Sequence, residues 1–363
     1  MKTILITGCR APIALDFSRS FFTEGYRVIL VDSLHFPIGR WTCKKSSFYR
    51  LPSPRFATSA FIKDLKELIR KEEVTDVIPL CEEAFYIAMH KHTLKCNVWS
   101  CDSTLMNTLH NKQLFYEMAH TDLHIPETKI IAEFTDWEQS NAYVFKPIYS
   151  RFAVATIIGK SIESDFISEQ EKTNWIAQKL VQGKEICVYS IWDQGVLSAY
   201  SSYYPRYRAG QGAGIYFEPV THKKTFDMVK QFGHKIKAHG QLSFDVIIDI
   251  SGNPHVIECN PRGTSGAHCL QDQLASSFFG KEKMYIPTKK SSAIKYGIAV
   301  YKPFIFFRKE IRNSRDVIYS ASDIKPFMLQ LISILELFYV MVTKRVSFLK
   351  ATTYDIEWNN DGY

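Results

Sequence analysis

The sequence predicts a parallel-sheet α/β domain followed by a strand-rich α+β region, on three observations. Short apolar runs alternate with helical periodicity over the first hundred residues. Beyond about residue 111, strand-like runs follow one another with long connections and one clear hairpin. The chain, at 363 residues, is too long for one ordinary domain and suits two or three. Apolar residues at 46% and charged residues at 23% are globular values and exclude wholesale disorder. With 17 Gly and 14 Pro and no internal repeat, collagen-like, low-complexity and solenoid classes fall away as well.

Thr3–Gly8 is a short apolar run that ends at a glycine. Ala11–Glu24 places Ala14, Phe17, Phe21 and Phe22 near one helical face, and Gly25 terminates it. Arg27–Asp32 is a second buried strand, Leu65–Lys71 a short helix, and Asp76–Cys81 a third strand. Strands separated by helices imply a parallel sheet with right-handed crossovers, so residues 1–105 are read as a Rossmann-like domain. Its first turn invites a dinucleotide site, whose fingerprint needs glycines at positions 8, 10 and 13. Gly8, Arg10 and Ile13 stand there. Arg10 and Ile13 obstruct the close backbone approach, so no NAD site is expected, and Asp32 is read as a strand-end turn residue.

Residues 106–280 form the second unit, with a lid over about 125–178. Its strand candidates are Tyr143–Lys146, Ile186–Ile191, Val196–Ser201, Phe244–Asp249 and His255–Cys259, the last two joined by a Gly252-Asn253 turn. Residues 281–363 form a basic C-terminal layer. Between Lys281 and Lys350 there are 14 Lys/Arg against five acids, an excess of +9 in a chain whose net charge is +8. The remainder is close to neutral, which argues against a nucleic-acid binder. Pro326–Val342 is apolar except for Gln330, Ser333 and Glu336. Such a segment makes a poor membrane span. It is read as a buried helix with a narrow wet stripe, with peripheral membrane contact as the alternative; Phe304–Phe307 is likewise expected to be buried. Eight cysteines without a C-x-x-C pair give no zinc site of the usual spacing. The N-terminal apolar run is far short of a signal-peptide core, and a reduced, cytoplasmic protein is expected.

The chemistry-bearing residues are concentrated in Phe244–Arg262. Asp245 opens one strand of the hairpin, while Glu258 and Asn260 close the other and point to one face. Two carboxylates and an amide oxygen suit Mg²⁺ bridging nucleotide phosphates. Arg262 faces the same way if the strand continues. Gln178–Glu185 is an extended linker entering a strand, able to offer backbone groups to an adenine edge and a carboxylate to ribose hydroxyls. Lys146 ends an apolar strand, where an ammonium group needs an anion. Lys112 follows in the same vein.

In this order and spacing, the segments of residues 1–270 resemble the ATP-grasp superfamily: an ATP-grasp fold preceded by a Rossmann-like domain whose last strand and turn match Pro79–Glu83. The resemblance implies that Lys112 and Lys146 hold the phosphates, that Gln178, Lys179 and Val181 form the adenine hinge, and that Glu185 is the ribose acid. It implies Asp245, Glu258 and Asn260 as ligands of Mg²⁺ (or Mn²⁺), and Arg262 as the residue stabilising the transferred phosphoryl group, with Lys146 assisting. One departure is plain. Pro147–Thr156 contains no glycine where relatives carry a glycine-rich loop, leaving Ser150 and Arg151 as phosphate donors.

On the substrate side, Tyr203–Gly214 pairs Arg206 and Arg208 with a glycine-rich loop, read as an anion clamp. His268 is a candidate acid/base, and Glu82 with Glu83 are candidates to meet an amino group. The resemblance implies an ADP-forming ligase that uses ATP and Mg²⁺ to join a small-molecule carboxylate to an amine. Phosphotransfer, carboxylation or nucleotide binding without turnover are the alternatives. No nucleic-acid partner is expected, and a homodimer is compatible with the reading.

Overall fold

The computed structural model describes residues 1–151, 155–210, 212–280 and 289–360. Phe152–Val154 of the phosphate loop, Gln211, and residues 281–288 with their Lys281, Glu282 and Lys283 lie outside the described residues.

Five strands form the first sheet: β1 (Thr3–Thr7), β2 (Arg27–Asp32), β3 (Ser47–Arg50), β4 (Asp76–Pro79) and β5 (Asn97–Val98). All neighbours are parallel, in the order β3-β2-β1-β4-β5. Every residue of β1 is buried because helices cover both faces, which is why the strand reads as a continuous apolar run. Helices α1 (Ile13–Thr23), α2 (Thr58–Lys71) and α3 (Glu83–Met89) supply the cover. Helix α2 is twice the length read from Leu65–Lys71, since Phe61 and Ile62 extend the buried stripe of Leu65, Leu68 and Ile69. The half-polar edge strand β3 carries no apolar run to announce it. Strand order reverses between β1 and β4, opening a crevice at their carboxyl ends, beside Gly8 and Cys81.

Helices α4 (Ser103–His110) and α5 (Lys112–Leu123) lead out of this domain. The Asn111 side chain caps α5 by accepting from the N–H groups of Gln113 and Leu114, each at 3.0 Å. A four-stranded antiparallel sheet follows, of β6 (Thr128–Ile130), β7 (Tyr143–Pro147), β8 (Ile157–Ile158) and β9 (Trp175–Lys179), ordered β6-β9-β7-β8. Phe134, Tyr143, Phe145 and Ala177 fill its own small core.

The largest sheet comprises β10 (Gly183–Asp193), β11 (Val196–Ala209), β12 (Ala213–Pro219), β13 (Gly240–Asp249), β14 (Pro254–Asn260), β15 (Ser292–Ala293) and β16 (Arg315–Asp316), in the order β14-β13-β10-β11-β12-β15-β16. Helices α6 (Lys223–Lys235) and α7 (Leu274–Phe279) accompany it. The expected hairpin is β13–β14: Gly252 takes φ +75° in the turn, and Asp245 stands opposite Glu258 in the register. The Tyr203–Gly214 segment differs from its reading as a loop. Strand β11 continues to Ala209, so both arginines belong to a β11–β12 hairpin.

Helices α8 (Lys295–Tyr301), α9 (Lys309–Asn313), α10 (Lys325–Lys344) and α11 (Phe348–Ala351) complete the chain. The basic segment is less buried than its composition suggested. Phe304 and Phe307 are 97% and 79% exposed. In α10 the predicted arrangement is inverted: Gln330 and Ser333 face the body, while Met328, Leu331, Leu335 and Val342 are exposed. The reason is partnership. Ser333 Oγ accepts from the Trp41 indole at 2.9 Å, and Glu336 accepts the N–H groups of His35 and Phe36 at 2.7 Å each. A three-residue period shows that two faces differ, not which of them turns inward.

Candidate functional site

The switch-point crevice is built first, from the ends of β1, β2 and β4. Gly8 adopts φ +65°, and a Cβ there would lie 2.5 Å from Glu83 Oε1. Arg10 answers the dinucleotide question. Its backbone N–H donates to Asp32 Oδ2 at 2.8 Å and its Nε to Asp32 Oδ1 at 3.0 Å, so the acid at the end of β2 serves this arginine.

The C-terminal tail crosses the same crevice. Asp355 accepts from Arg10 Nη1 at 2.5 Å and from Ser33 Oγ at 2.6 Å. Glu357 pairs with Arg55 at 2.6 Å and with Arg151 at 3.0 Å, and the Trp358 ring stacks on Phe85 with centroids 5.7 Å apart. Glu82, the candidate for an amino group, is 1% exposed and already engaged. Arg151 Nε donates to it at 2.5 Å, and the Trp358 N–H donates to Oε2 at 2.9 Å. Glu83 is held by Thr7 Oγ1 at 2.7 Å; burial raises its pKa above the ordinary value. Both acids are therefore structural in this arrangement. Arg151 likewise serves Glu82 and the tail, not an open phosphate loop.

The second cluster lies between the four-stranded and the seven-stranded sheet. Lys112 opens α5 and is 4% exposed; its Nζ is 3.6 Å from Glu258 Oε2 and donates to the Ile148 carbonyl at 3.5 Å. Lys146, on β7, is 5% exposed and donates to Gln178 Oε1 at 2.9 Å and to the Ile257 carbonyl at 3.2 Å. Burial pulls the Lys146 ammonium down to about 8, with Lys112 adding to the shift and Glu258 and Asp245 opposing it. Burial also lowers Lys112, opposed by Glu258. Two desolvated cations side by side are what an incoming polyanion compensates.

The β13–β14 register sets Asp245 against Glu258, and β10 lies on the other side, bringing Cys187 opposite Asp245. Ligand atoms of Glu185, Cys187 and Asp245 lie within 4.8 Å of one another. Asn260 Nδ2 donates to Glu258 Oε1 at 3.2 Å. Burial, followed by Glu258 and Glu185, pushes the Asp245 carboxyl well above its ordinary range. Glu258 goes the other way: burial would raise it, but Lys112 and Lys146 outweigh that and hold it low. Crowded carboxylates of this kind fit a hard divalent cation such as Mg²⁺ or Mn²⁺. Cys187, pushed up by burial and then by Asp245 and Glu185, remains a thiol and offers nothing to a softer metal.

Arg262 closes the group. Its Nη2 donates to Asn260 Oδ1 at 3.3 Å and approaches Glu82 at 3.7 Å, while its Nε is buried without a hydrogen-bond partner among the described residues. Arg208 reaches Glu185 at 2.5 Å, whereas Arg206 lies exposed against Glu218 at 3.2 Å, out of the cluster. Gln178 lies near the end of β9. Its side chain is 3% exposed, bonded to Lys146 and to Thr128 Oγ1 at 3.0 Å, so it orients a lysine. The Lys179 side chain is exposed, and its N–H donates to the Glu127 carbonyl at 2.8 Å; Val181 is half-buried in the connection to β10. His268 is corrected: 1% exposed, bonded to Asp16 Oδ2 at 2.7 Å and stacked on Phe217 at 5.2 Å, it is a core residue whose pKa burial lowers. Sequence reasoning missed Cys187 and the buried His110, whose pKa is driven well down by burial and then by Arg151, Lys112 and Arg262. The alternation along β10 carries the signal for Cys187, since it shares a face with Glu185.

Comparison with known proteins adds the following. Residues 109–266 match the ATP-grasp domain. A search of curated protein sequences returns no match. Among solved structures, N5-carboxyaminoimidazole synthetase from Staphylococcus aureus complexed with ADP is similar at TM-score 0.63 and 14% identity, over 86% of this chain and 91% of that one. L-amino acid ligase from Bacillus licheniformis is similar at TM-score 0.57 and 16% identity, over 77% of each chain. The biotin carboxylase domain of Hydrogenobacter thermophilus 2-oxoglutarate carboxylase, in complex with MgADP, ADP and bicarbonate, is similar at TM-score 0.59 and 13% identity, over 79% of this chain and 71% of that one. These likenesses extend the shared architecture from the matched domain back across the parallel sheet. Residues 109–266, which carry the two buried lysines and the acidic hairpin facing them, thus match the ATP-grasp domain as a unit, and the chain shares the fold of these solved structures.

Proposed function

We propose that the protein is an ATP- and Mg²⁺-dependent, ADP-forming ligase that activates a carboxylate as an acyl phosphate and joins it to an amine. The observation that carries this reading is the meeting of Lys112 and Lys146 with Asp245, Glu258 and Asn260 in one cleft. Lys112 and Lys146 take the phosphates, with Gln178 fixing the Lys146 ammonium. Glu185 addresses the ribose, and the backbone from Lys179 to Val181 lies alongside the base. Asp245, Glu258 and Asn260 would hold Mg²⁺ or Mn²⁺, which when bound neutralises phosphate charge. A carboxylate oxygen attacks the γ-phosphorus and ADP leaves; the amine nitrogen then attacks the acyl carbon, phosphate leaves, and the ammonium proton passes to solvent. Arg262 sits where that intermediate gathers negative charge, and its unpartnered Nε–H is the donor available to it. Arg208, through Glu185, belongs to the nucleotide side. In this reading residues 1–105 are the preceding domain, residues 106–280 the catalytic one with its lid at about 125–178, and the substrates are small molecules in the cytoplasm.

The purified protein with ATP, Mg²⁺ and a panel of amino acids and small acids tests this. ADP and phosphate should appear only with an acid and an amine present, and hydroxylamine should trap the acid as a hydroxamate. AMP with pyrophosphate, or a stable phosphorylated alcohol, overturns the assignment.

A further inference from the structure

Helix α10 runs 20 residues with a mean hydropathy of 1.7, yet only 11% of its most apolar window is buried. Its polar side chains are the ones attached to the body, through Trp41, His35 and Phe36. What it turns outward is apolar: Met328, Leu331, Leu335, Tyr339 and Val342 are each more than half exposed. At about 100° per residue these positions, with Phe327, Ile332 and Phe338, cover an arc of roughly 140°, wider than a coiled-coil seam. Such a face costs free energy in water and calls for an occupant.

The charges around the face decide which occupant. From Ile324 to Lys350 the cations are Lys325, Lys344, Arg345 and Lys350, against the single acid Glu336, which is turned inward. Lys325 begins the helix, while Lys344 and Arg345 end it. Two copies packed through this face would set like charges together whether the helices ran parallel or antiparallel. Beside the first turn of α10 lies a cavity of about 530 Å³ lined by Arg40, Lys45 and Lys325 together with Trp41, Met328 and Leu329. A pocket with three cations and an apolar floor, opening beside an apolar helix face, matches a phosphate headgroup with its acyl chain. A helix of this length could cross a bilayer, but Ser333 and Glu336 bind it lengthwise to the protein, with Gln330 buried on the same side.

We infer that the outward face of α10 docks on an anionic phospholipid surface, the helix lying in the interfacial plane with Arg40, Lys45 and Lys325 on the headgroups. The apolar face supplies the insertion, and the cations supply the preference for negative charge.

The test is flotation of the full chain with vesicles of phosphatidylcholine alone and of equal parts phosphatidylcholine and phosphatidylglycerol. The protein should float with the mixed vesicles, poorly with the neutral ones, and less as salt rises. Leu331→Asp with Leu335→Asp should lower the bound fraction about tenfold. Both side chains are exposed, so unchanged thermal unfolding verifies that the variant folds. Lys325→Glu with Lys45→Glu should remove the preference for the charged vesicles. Absence of flotation overturns the inference, and so does a concentration-dependent dimer, seen by light scattering, that the Leu331/Leu335 variant dissolves. Neither result bears on ligase activity, which is read separately.

Discussion

Glu258→Gln separates the two duties assigned to the acidic hairpin, because it keeps the size of the side chain and removes its charge. Glu258 Oε2 lies 3.6 Å from Lys112 Nζ, and the two side chains are 25% and 4% exposed. At an effective dielectric constant of about 20, unit charges at that separation attract by about 5 kcal/mol. Partial exposure of the acid screens this, and release of Asp245 from its like-charged neighbour returns part of the remainder. The expected net loss is about 1–2 kcal/mol of folding stability in the nucleotide-free protein, smaller than the ~3–5 kcal/mol for breaking a fully buried pair. Urea unfolding without nucleotide reads this term. Calorimetric titration with ATP reads the other: binding without Mg²⁺ should persist, because a negative charge near the phosphates has gone, while the strengthening by Mg²⁺ should vanish. Turnover should fall by about 10²–10³, the scale for losing one preorganised electrostatic group. A Gln variant that keeps Mg²⁺-dependent binding and kcat within a few-fold of the parent refutes the metal site.

Arg262→Ala should lower kcat by about 10²–10³ while leaving the ATP dissociation constant within a few-fold, and hydroxamate trapping should fall in step; equal loss of ATP binding would make it a nucleotide residue. With its pKa lowered to about 8, Lys146 should bind phosphate fully below about pH 8 and lose affinity as pH rises through it, a trend that Lys146→Arg should flatten. The stability linkage has the opposite sign: the unfolded lysine holds its proton up to about 10.4, so folding stability should rise with pH from about 8 to that value. His268→Asn should cost about 1–3 kcal/mol in urea unfolding through its Asp16 partner, with kcat of the folded protein unchanged; a lost ionisation in the pH–rate profile would return His268 to acid/base chemistry.

The parallel sheet was legible because β1, β2 and β4 are buried on both faces and carry unbroken apolar runs. The β13–β14 hairpin was legible because Gly252-Asn253 punctuates two alternating strands, which fixes Asp245 against Glu258. Glu82 and His268 were hard to read for one shared reason: a polar residue in an apolar context signals a partner without naming it. Arg151 and Asp16 are those partners, 69 and 252 residues away in the chain. Helix α10 failed differently. Its periodicity was right, but the direction of burial depended on Trp41 and the His35–Phe36 backbone, which no local pattern contains.

The tail that crosses the switch-point crevice bears on the order in which the molecule can be made. Arg10 and Asp355 are 345 residues apart, Arg55 and Glu357 are 302 apart, and Glu82 and Trp358 are 276 apart. Synthesis delivers the amino-terminal residues first, at roughly 5–20 residues per second, so the parallel sheet leaves the ribosome well before its last counter-ions exist. Until then Arg10 has only Asp32 and Ser33, Glu82 lacks the Trp358 N–H, and the Phe85 ring lacks its Trp358 stacking partner. Closing loops of this length late is slow, and it leaves an apolar and charged edge open in the nascent chain. The first domain is thus complete only when residues 355–358 reach it.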